Sequence, residues 1–588
     1  MRKPCTLLFL ILAASLPVCS LARQNAGAAA SGQTAEPPPS AVGAPATAGQ
    51  STDANPGSAR MNAVVDRICA AERQLEVTLR KFSPRVETYI QNFRPDPELG
   101  AVPTSDHYFL GRINFRHGFD VESFLPGPGV KDRIFSDITG QITRWYSVRY
   151  QPNAFAYTIM MDTRHFDRQH YEFDFVRQEF LGDVRCLVFD VQPRPHSGSG
   201  LFKGRIWVES QGYHIVRFNG TYAPSGMLST YFHFDSWREN LQPGLWLPVY
   251  VYSEESDLHY ALRRTLRFKS QTRLWGYGLT NPNHEEELTH VLIEARDPVR
   301  DRSEVVPDAS PVASEREWEH EAAQNVVDRL QKAGLLAPPG DVDTVLETVV
   351  NNLAVTNHLV NLPPVHCRVL LTSTLESLSI GDNIIVSRGL IDVLPDEPSL
   401  AMILAHELAH IVLGHTLTTQ TTRYAFHDRL IMPDEDVLRR LNFRPTQQEE
   451  ASADAKAIQF LRNSPYKDQL GKAGLFLRAL AVAAQRTPNL FGAHLGSRLV
   501  ISGRVERMAE LMSSSPALQP TNVDQIAALP LGSRVKVNAW NDDAELVKSK
   551  PPALLSAREK MPFEVTPLFP YLTRYNVKEE LAAQATAQ

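Results

Sequence analysis

Apolar positions first become periodic at Met61: Val64, Ile68, Leu75 and Leu79 recur at helical spacing and predict a helix over 61–82. From about Asp106 to Ile293 the pattern changes to short alternating stretches, rich in aromatics and broken by Gly, Pro and Asn. Tyr171 to Phe175, Cys186 to Val191, Gly204 to Val208, Tyr213 to Phe218, Tyr231 to Phe234 and Trp246 to Tyr252 are examples. Alternation of this length between turn residues predicts a mostly antiparallel β domain. Helical spacing returns at Trp318 to Leu335 and Val342 to Leu359, and Arg368 to Leu371 and Asn383 to Ser387 read as strands. Glu397 to Leu413, Gln447 to Arg462 and Leu470 to Gln485 read as further helices. The expected fold class is therefore α+β and multidomain: an N-terminal antiparallel β domain, then a mainly helical domain with a small sheet.

A chain of 588 residues exceeds what one core supports, which agrees with two folded regions. A net charge of -6 without a dense basic run gives no electrostatic basis for nucleic acid or an anionic membrane surface. The N-terminus reads as an export signal: Arg2 and Lys3, an apolar run from Leu7 to Val18, then Ser20-Leu21-Ala22 at the cleavage positions. No later segment approaches the roughly 20 apolar residues of a membrane helix, so the expected location is periplasmic or extracellular. Gln24 to about Arg60 is rich in Ala, Gly, Pro and Ser and is expected to be a disordered tether. The resulting division is 1–22 signal, 23–60 linker, 61–296 β-rich domain, 297–335 charged linker and helix, 336–515 helical domain and 516–588 C-terminal extension. Beyond the signal only Cys69, Cys186 and Cys367 remain; an oxidising compartment permits one disulfide among them and leaves one thiol.

The segment that carries chemistry runs from Pro398 to His415. Asp396 fits an N-cap, Pro398 the first turn and Gly414 the helix exit. Between Leu400 and Leu413 every residue is apolar except His406, Glu407 and His410, so the helix is expected to be buried all round. Leaving three ionisable side chains unpaired inside it would cost roughly 2–7 kcal/mol for each unsatisfied group. Spacing i, i+4 stacks the imidazoles of His406 and His410 on one face, where they share a metal ion, and Glu407 is placed to act as a general base.

A catalytic zinc takes three protein ligands. The metzincin pattern fails, since Leu413 and Thr416 stand where it needs Gly and His. His415 follows the helix stop, cannot join the face of His406 and His410, and is expected to be exposed. In the second helix Thr446 and Glu449 form a capping box, which gives Glu449 a structural task. Glu450 shares a stripe with Ala453, Ala457 and Leu461 and is the expected third ligand; Asp454, one turn on, is placed to hold the free nitrogen of a ligating histidine.

Ile384-Ile-Val-Ser-Arg-Gly-Leu390, His406-Glu-Leu-Ala-His410 and Glu450-Ala-Ser-Ala-Asp454 together resemble the HtpX and CAAX-prenyl-protease family of gluzincins, in its soluble, BepA-like branch. The resemblance spans about Val342 to Leu511 and implies a zincin metallopeptidase domain with one Zn2+ per chain, Glu450 as third ligand and Asp454 as its companion. It also implies an active-site role for His494 and for Arg504 in the stretch Gly503 to Met508. Leu495 replaces the family's Pro, and Ser377-Leu378-Ser379 replaces its Asn-Ala. Phe180 through Pro248 is similar in texture to the LolA-like lipoprotein-carrier fold, a curved half-barrel around a helix.

These readings imply an exported zinc metalloendopeptidase in which Glu407 activates water. An extended substrate is expected to add to the edge strand at Asn383 to Ser387. The resemblance implies protein or peptide substrates of the envelope, lipoproteins among them, in quality control. The rival reading is a lipoprotein- or acyl-chain-binding chaperone module with a regulatory zinc domain.

Overall fold

The computed structural model describes residues 56–116, 120–125, 158–161, 165–198, 201–222, 232–255, 267–280, 311–360, 362–415, 444–492, 495–501, 504–505, 507–519, 522, 534–547, 565 and 570–575. The expected export signal, the tether up to residue 55, the charged stretch before residue 311 and His494 lie outside these residues.

Helix α1 (Pro56–Leu79) buries Ile68, Leu75 and Leu79 of the expected periodic positions, with Val65 buried and Val64 half-buried beside it. It packs on a sheet of ten described strands: β1 (Arg85–Asp96), β2 (Gly100–Asn114), β3 (Asp120–Ser123), β4 (Tyr171–Leu181), β5 (Val184–Pro193), β6 (Phe202–Glu209), β7 (Ile215–Tyr222), β8 (Phe232–Gln242), β9 (Leu245–Glu255) and β10 (Arg267–Trp275). Their order is β3-β2-β1-β10-β9-β8-β7-β6-β5-β4, and the neighbours in it run antiparallel. An antiparallel meander needs only short connections, which is why turn residues punctuate this region so evenly. β1 was not expected: the strand texture starts before Asp106, and β1 pairs with β10 from Arg85↔Trp275 to Phe93↔Arg267. Glu72 of α1 and Arg238 of β8 form a two-bond ion pair at 2.5 and 2.8 Å, each side chain 1% exposed, which fixes the helix on the sheet. Cys69, Cys186 and Cys367 are all free thiols and buried, so the permitted disulfide is not formed. Burial pushes the thiols of Cys69 and Cys186 up to about 12, which leaves them unreactive.

The second half contains α2 (Pro311–Lys332), α3 (Asp341–Thr356), β11 (His366–Leu370), β12 (Glu376–Ile380), β13 (Asn383–Ser387), α4 (Arg388–Val393), α5 (Glu397–Val412), α6 (Gln447–Arg462), α7 (Leu470–Ala484) and β14 (Ser497–Arg498). The molecule is thus α+β, a large antiparallel sheet followed by helices with a small sheet. That small sheet has the order β11-β13-β12-β14. β13 lies parallel to β11 on one side and antiparallel to β12 on the other. Asn383 to Ser387 is therefore an interior strand, and a peptide cannot add to it. Both of its edges are already hydrogen-bonded. The unexpected strand β12 lies between β13 and the short β14, which pairs with it only at Glu376↔Arg498 and Ser377↔Ser497.

The two halves meet through buried polar groups. Glu87 of β1 accepts from Ser373 N at 2.5 Å, Ser373 Oγ at 2.7 Å, Tyr108 OH at 2.7 Å and Arg388 at 3.0 Å. Asp106 of β2 accepts from Asn489 N at 3.0 Å and Leu490 N at 2.7 Å. In the C-terminal extension Arg534 and Val535 donate through their backbone N–H to Asp392 of α4, whereas the residues from Val565 on return to the large sheet. Val565 N donates to Gln91, Leu572 O accepts from Asp183 N at 2.8 Å, and Arg574 reaches Glu209 at 2.6 Å. No helix among the described residues is long and apolar enough to cross a membrane.

Candidate metal centre

Helix α5 begins as its sequence dictates, with Asp396 accepting from Ser399 N at 3.0 Å and Pro398 in the first turn. From Ala401 to His410 it is buried without interruption, His406, Glu407 and His410 included. Helix α6 starts with the capping box of Thr446 and Glu449, which turns Glu450 inward. Ala453 and Ala457 are fully buried and allow α6 to lie close along α5.

Three ligand atoms then converge. His406 Nε2 lies 3.0 Å from Glu450 Oε2 and 3.1 Å from His410 Nε2, and His410 Nε2 lies 3.8 Å from Glu450 Oε2. His406, His410 and Glu450 form the one group among the described residues placed to hold a metal ion. A tetrahedral zinc with bonds of about 2.0–2.2 Å needs ligand atoms separated by about 3.3–3.5 Å, a range these distances bracket.

Hydrogen-bond direction supports the same fit. Ser452 Oγ donates to Glu449 O at 3.0 Å, so toward His415 Nε2, 3.3 Å away, it accepts. His415 then carries its proton on Nε2 and offers the Nδ1 lone pair to His410 Nδ1 at 2.8 Å. His410 donates there, which leaves its Nε2 lone pair facing the cluster. On the other imidazole, Asp454 Oδ1 stands 2.8 Å from His406 Nδ1, oblique for a good hydrogen bond but close enough to draw the proton to that nitrogen. Two lone pairs and a carboxylate oxygen are thus pressed together, and Glu450 Oε1 is buried without a hydrogen-bond partner. Electron-rich atoms so arranged require a cation, and the donor set of two imidazoles and a carboxylate suits Zn2+.

Glu407 projects beside the cluster, and Arg507 lies against both it and Glu450. Glu407 Oε1 accepts from Ser377 Oγ at 2.7 Å and from Arg507 at 2.6 Å. Burial alone would raise its carboxyl, but the Arg507 guanidinium, with the Ser377 hydroxyl, outweighs burial and holds it below the usual carboxylate range. Glu450 is largely buried, which opposes its ionisation, and Arg507 at 3.6 Å draws it well below its ordinary value. Arg507 is 3% exposed and its segment is fastened to α6 where Met508 N donates to Asp454 Oδ2 at 2.8 Å.

Several expectations change at this point. Arg504 lies exposed on a two-residue strand, paired with Ile501, and it is Arg507 that the fold brings to Glu407. His415 is not a free surface side chain, because it bonds His410. Ser377, taken only as a departure from a family pattern, holds the candidate base. Gly496 lets the adjoining segment lie against β12, since a Cβ there would stand 2.6 Å from the Ser377 carbonyl oxygen. We expect Arg504→Ala to change stability by no more than about 0.5 kcal/mol. Arg507→Ala, which strands the buried Glu407 carboxylate, should cost about 3–5 kcal/mol by urea denaturation.

A buried helix carrying His406, Glu407 and His410, beside a second helix carrying Glu450, is an arrangement that could hold a metal ion next to a buried acid. Residues 377–432, which contain this helix, match Peptidase family M48, and the match supports a metallopeptidase. Two solved structures are similar to the N-terminal sheet region. One is a LolA superfamily protein from Nitrosomonas europaea, at 14% identity and a TM-score of 0.17, covering 36% of this chain and 90% of that chain. The other is a DUF1329 family protein from Desulfovibrio piger, at 11% identity and a TM-score of 0.19, covering 38% of this chain and 97% of that chain. No curated protein matches the chain.

Proposed function

We propose that this chain is an exported zinc metalloendopeptidase, with His406, His410 and Glu450 as ligands and Glu407 as general base. The observation that carries the reading is the meeting of three electron-rich atoms, two Nε2 and one carboxylate oxygen, within 3.8 Å of one another beside a buried acid. Zinc bound there supplies Lewis-acid chemistry, polarising a carbonyl and acidifying water. Glu407, held ionised, takes the proton of the attacking water and returns it to the leaving amine. Arg507 and Ser377 fix the carboxylate so that its second oxygen remains for this transfer. Arg507 also places a permanent positive charge beside the reacting centre, where negative charge develops. Asp454 holds His406 by its Nδ1 side.

An extended peptide on this reading runs along β12 beyond the two positions paired with β14. Envelope proteins, lipoproteins among them, are the proposed substrates, and quality control is the proposed role.

The deciding experiment compares the wild-type chain with Glu407→Gln on an unfolded protein substrate, with zinc content measured in both. The variant should retain zinc and lose about 10²–10⁴-fold in kcat. Undiminished cleavage by the variant, or none by the zinc-loaded wild type, removes the peptidase assignment. Unchanged performance of Glu407→Gln in cells would favour the chaperone reading.

A further inference from the structure

We propose that His415 is a positioning residue for the metal centre, which fixes the tautomer and orientation of His410 and couples the two metal-bearing helices. This rests on the reading of His406, His410 and Glu450 as metal ligands.

The backbone brings it there. Gly414 adopts a left-handed conformation, φ +67°, at the end of α5. Gly414 N donates to Ile411 O at 3.0 Å and His415 N to His410 O at 3.0 Å, the paired bonds of a Schellman motif. That motif folds the chain back over the last turn, so His415, five residues beyond His410 in sequence, stands directly against it. Their ring centroids are 5.0 Å apart with the planes at 66°, and Nδ1 faces Nδ1 at 2.8 Å.

The direction of the chain is set at its far end. A carbonyl oxygen only accepts, so Glu449 O fixes the Ser452 hydroxyl as a donor to it. Ser452 fixes the proton of His415 on Nε2, and His415 fixes that of His410 on Nδ1. A metal ligand imidazole needs its other nitrogen held in this way, and a carboxylate or carbonyl is the usual holder. Here the two ligands are held differently, His406 by Asp454 and His410 by a neutral imidazole anchored on α6. His415 is no ligand itself, because its Nδ1 addresses the side of His410 turned away from the cluster.

The test measures zinc affinity of the full chain by competition with a chromophoric chelator, in the wild type, His415→Leu and His415→Asn. An asparagine places its amide oxygen where Nδ1 stood and still accepts from His410; leucine fills the space without accepting. The leucine variant should bind zinc about 10–100-fold more weakly with an unchanged apo melting temperature, and asparagine should restore most of the loss. Wild-type affinity in His415→Leu overturns the proposal, as does an equal loss in both variants, which would mean packing alone. Should leucine prevent folding, His415→Ala takes its place with the same two criteria. Zinc affinity is read without any peptide being cleaved. A chain that proves inactive but loses zinc on His415→Leu would keep this proposal and lose the enzymatic one.

Discussion

Glu450→Ala is expected to strip the chain of zinc at concentrations that saturate the wild type, and to abolish proteolysis with it. The reason is electrostatic as much as geometric. His406 and His410 present neutral lone pairs, while Glu450 supplies the one anionic ligand atom, 3.0 and 3.8 Å from the two Nε2 atoms. Arg507 stands 3.6 Å from that carboxylate. Without Glu450 the guanidinium faces two imidazoles and repels the incoming cation. The loss of affinity should therefore exceed the roughly 10–100-fold that an outer holding residue such as His415 contributes. Equilibrium dialysis against buffered zinc checks this. A Glu450→Ala chain that binds zinc as the wild type does would remove Glu450 from the ligand set.

How much of this centre a sequence displays depends on whether local periodicity fixes the residue. The helix from Glu397 to Val412 is legible because its apolar positions leave no exposed face, so its three ionisable groups stand out. Glu450 is legible because the capping box assigns its neighbour Glu449 a different task. β12 is not, because Glu376, Ser377 and Ser379 look like a polar loop. Glu376 and Ser377 are tolerated inside with the help of distant bonds, Glu376 Oε2 with Leu495 N at 3.1 Å and Ser377 Oγ with Glu407. Missing that strand is what made β13 look like an edge. Arg507 escapes for a related reason. Residues 504–508 follow no helical or strand repeat, and Met508 has φ 55°, so nothing local says which arginine turns inward. His415 is hidden by the Schellman reversal, which restores a contact that helical spacing forbids. β1 is missed because both of its faces are buried, Val86 and Ile90 on one and Glu87, Tyr89 and Gln91 on the other. Its polar face reads as solvent-facing until the second half of the chain is laid against it.

That polar face leads to the second large effect. Glu87→Ala is expected to destabilise the sheet and the metal-bearing half together, by about 3–5 kcal/mol, because it removes the buried carboxylate that Arg388, Ser373 and Tyr108 all donate to. Arg388 is 1% exposed, and Glu87 accepts from its guanidinium at 3.0 Å. Ser373, the other group Glu87 holds, begins the segment that continues through Leu375, whose N–H bonds Leu490 O at 2.9 Å, into Ser377 and so to Glu407. Asp106 secures the opposite side of this connection through Asn489 and Leu490. With two buried carboxylates of one sheet holding the wall that supports the candidate base, neither half should unfold while the other stays native. Urea denaturation followed by tryptophan fluorescence, which reports the sheet through Trp207, Trp237, Trp246 and Trp275, and by zinc release should give coincident transitions. Glu87→Ala should shift both to lower urea by the same amount. Two separated transitions, or a shift in only one probe, would show that the sheet is an independent module and that the contact at Glu87 does not couple it to the metal centre.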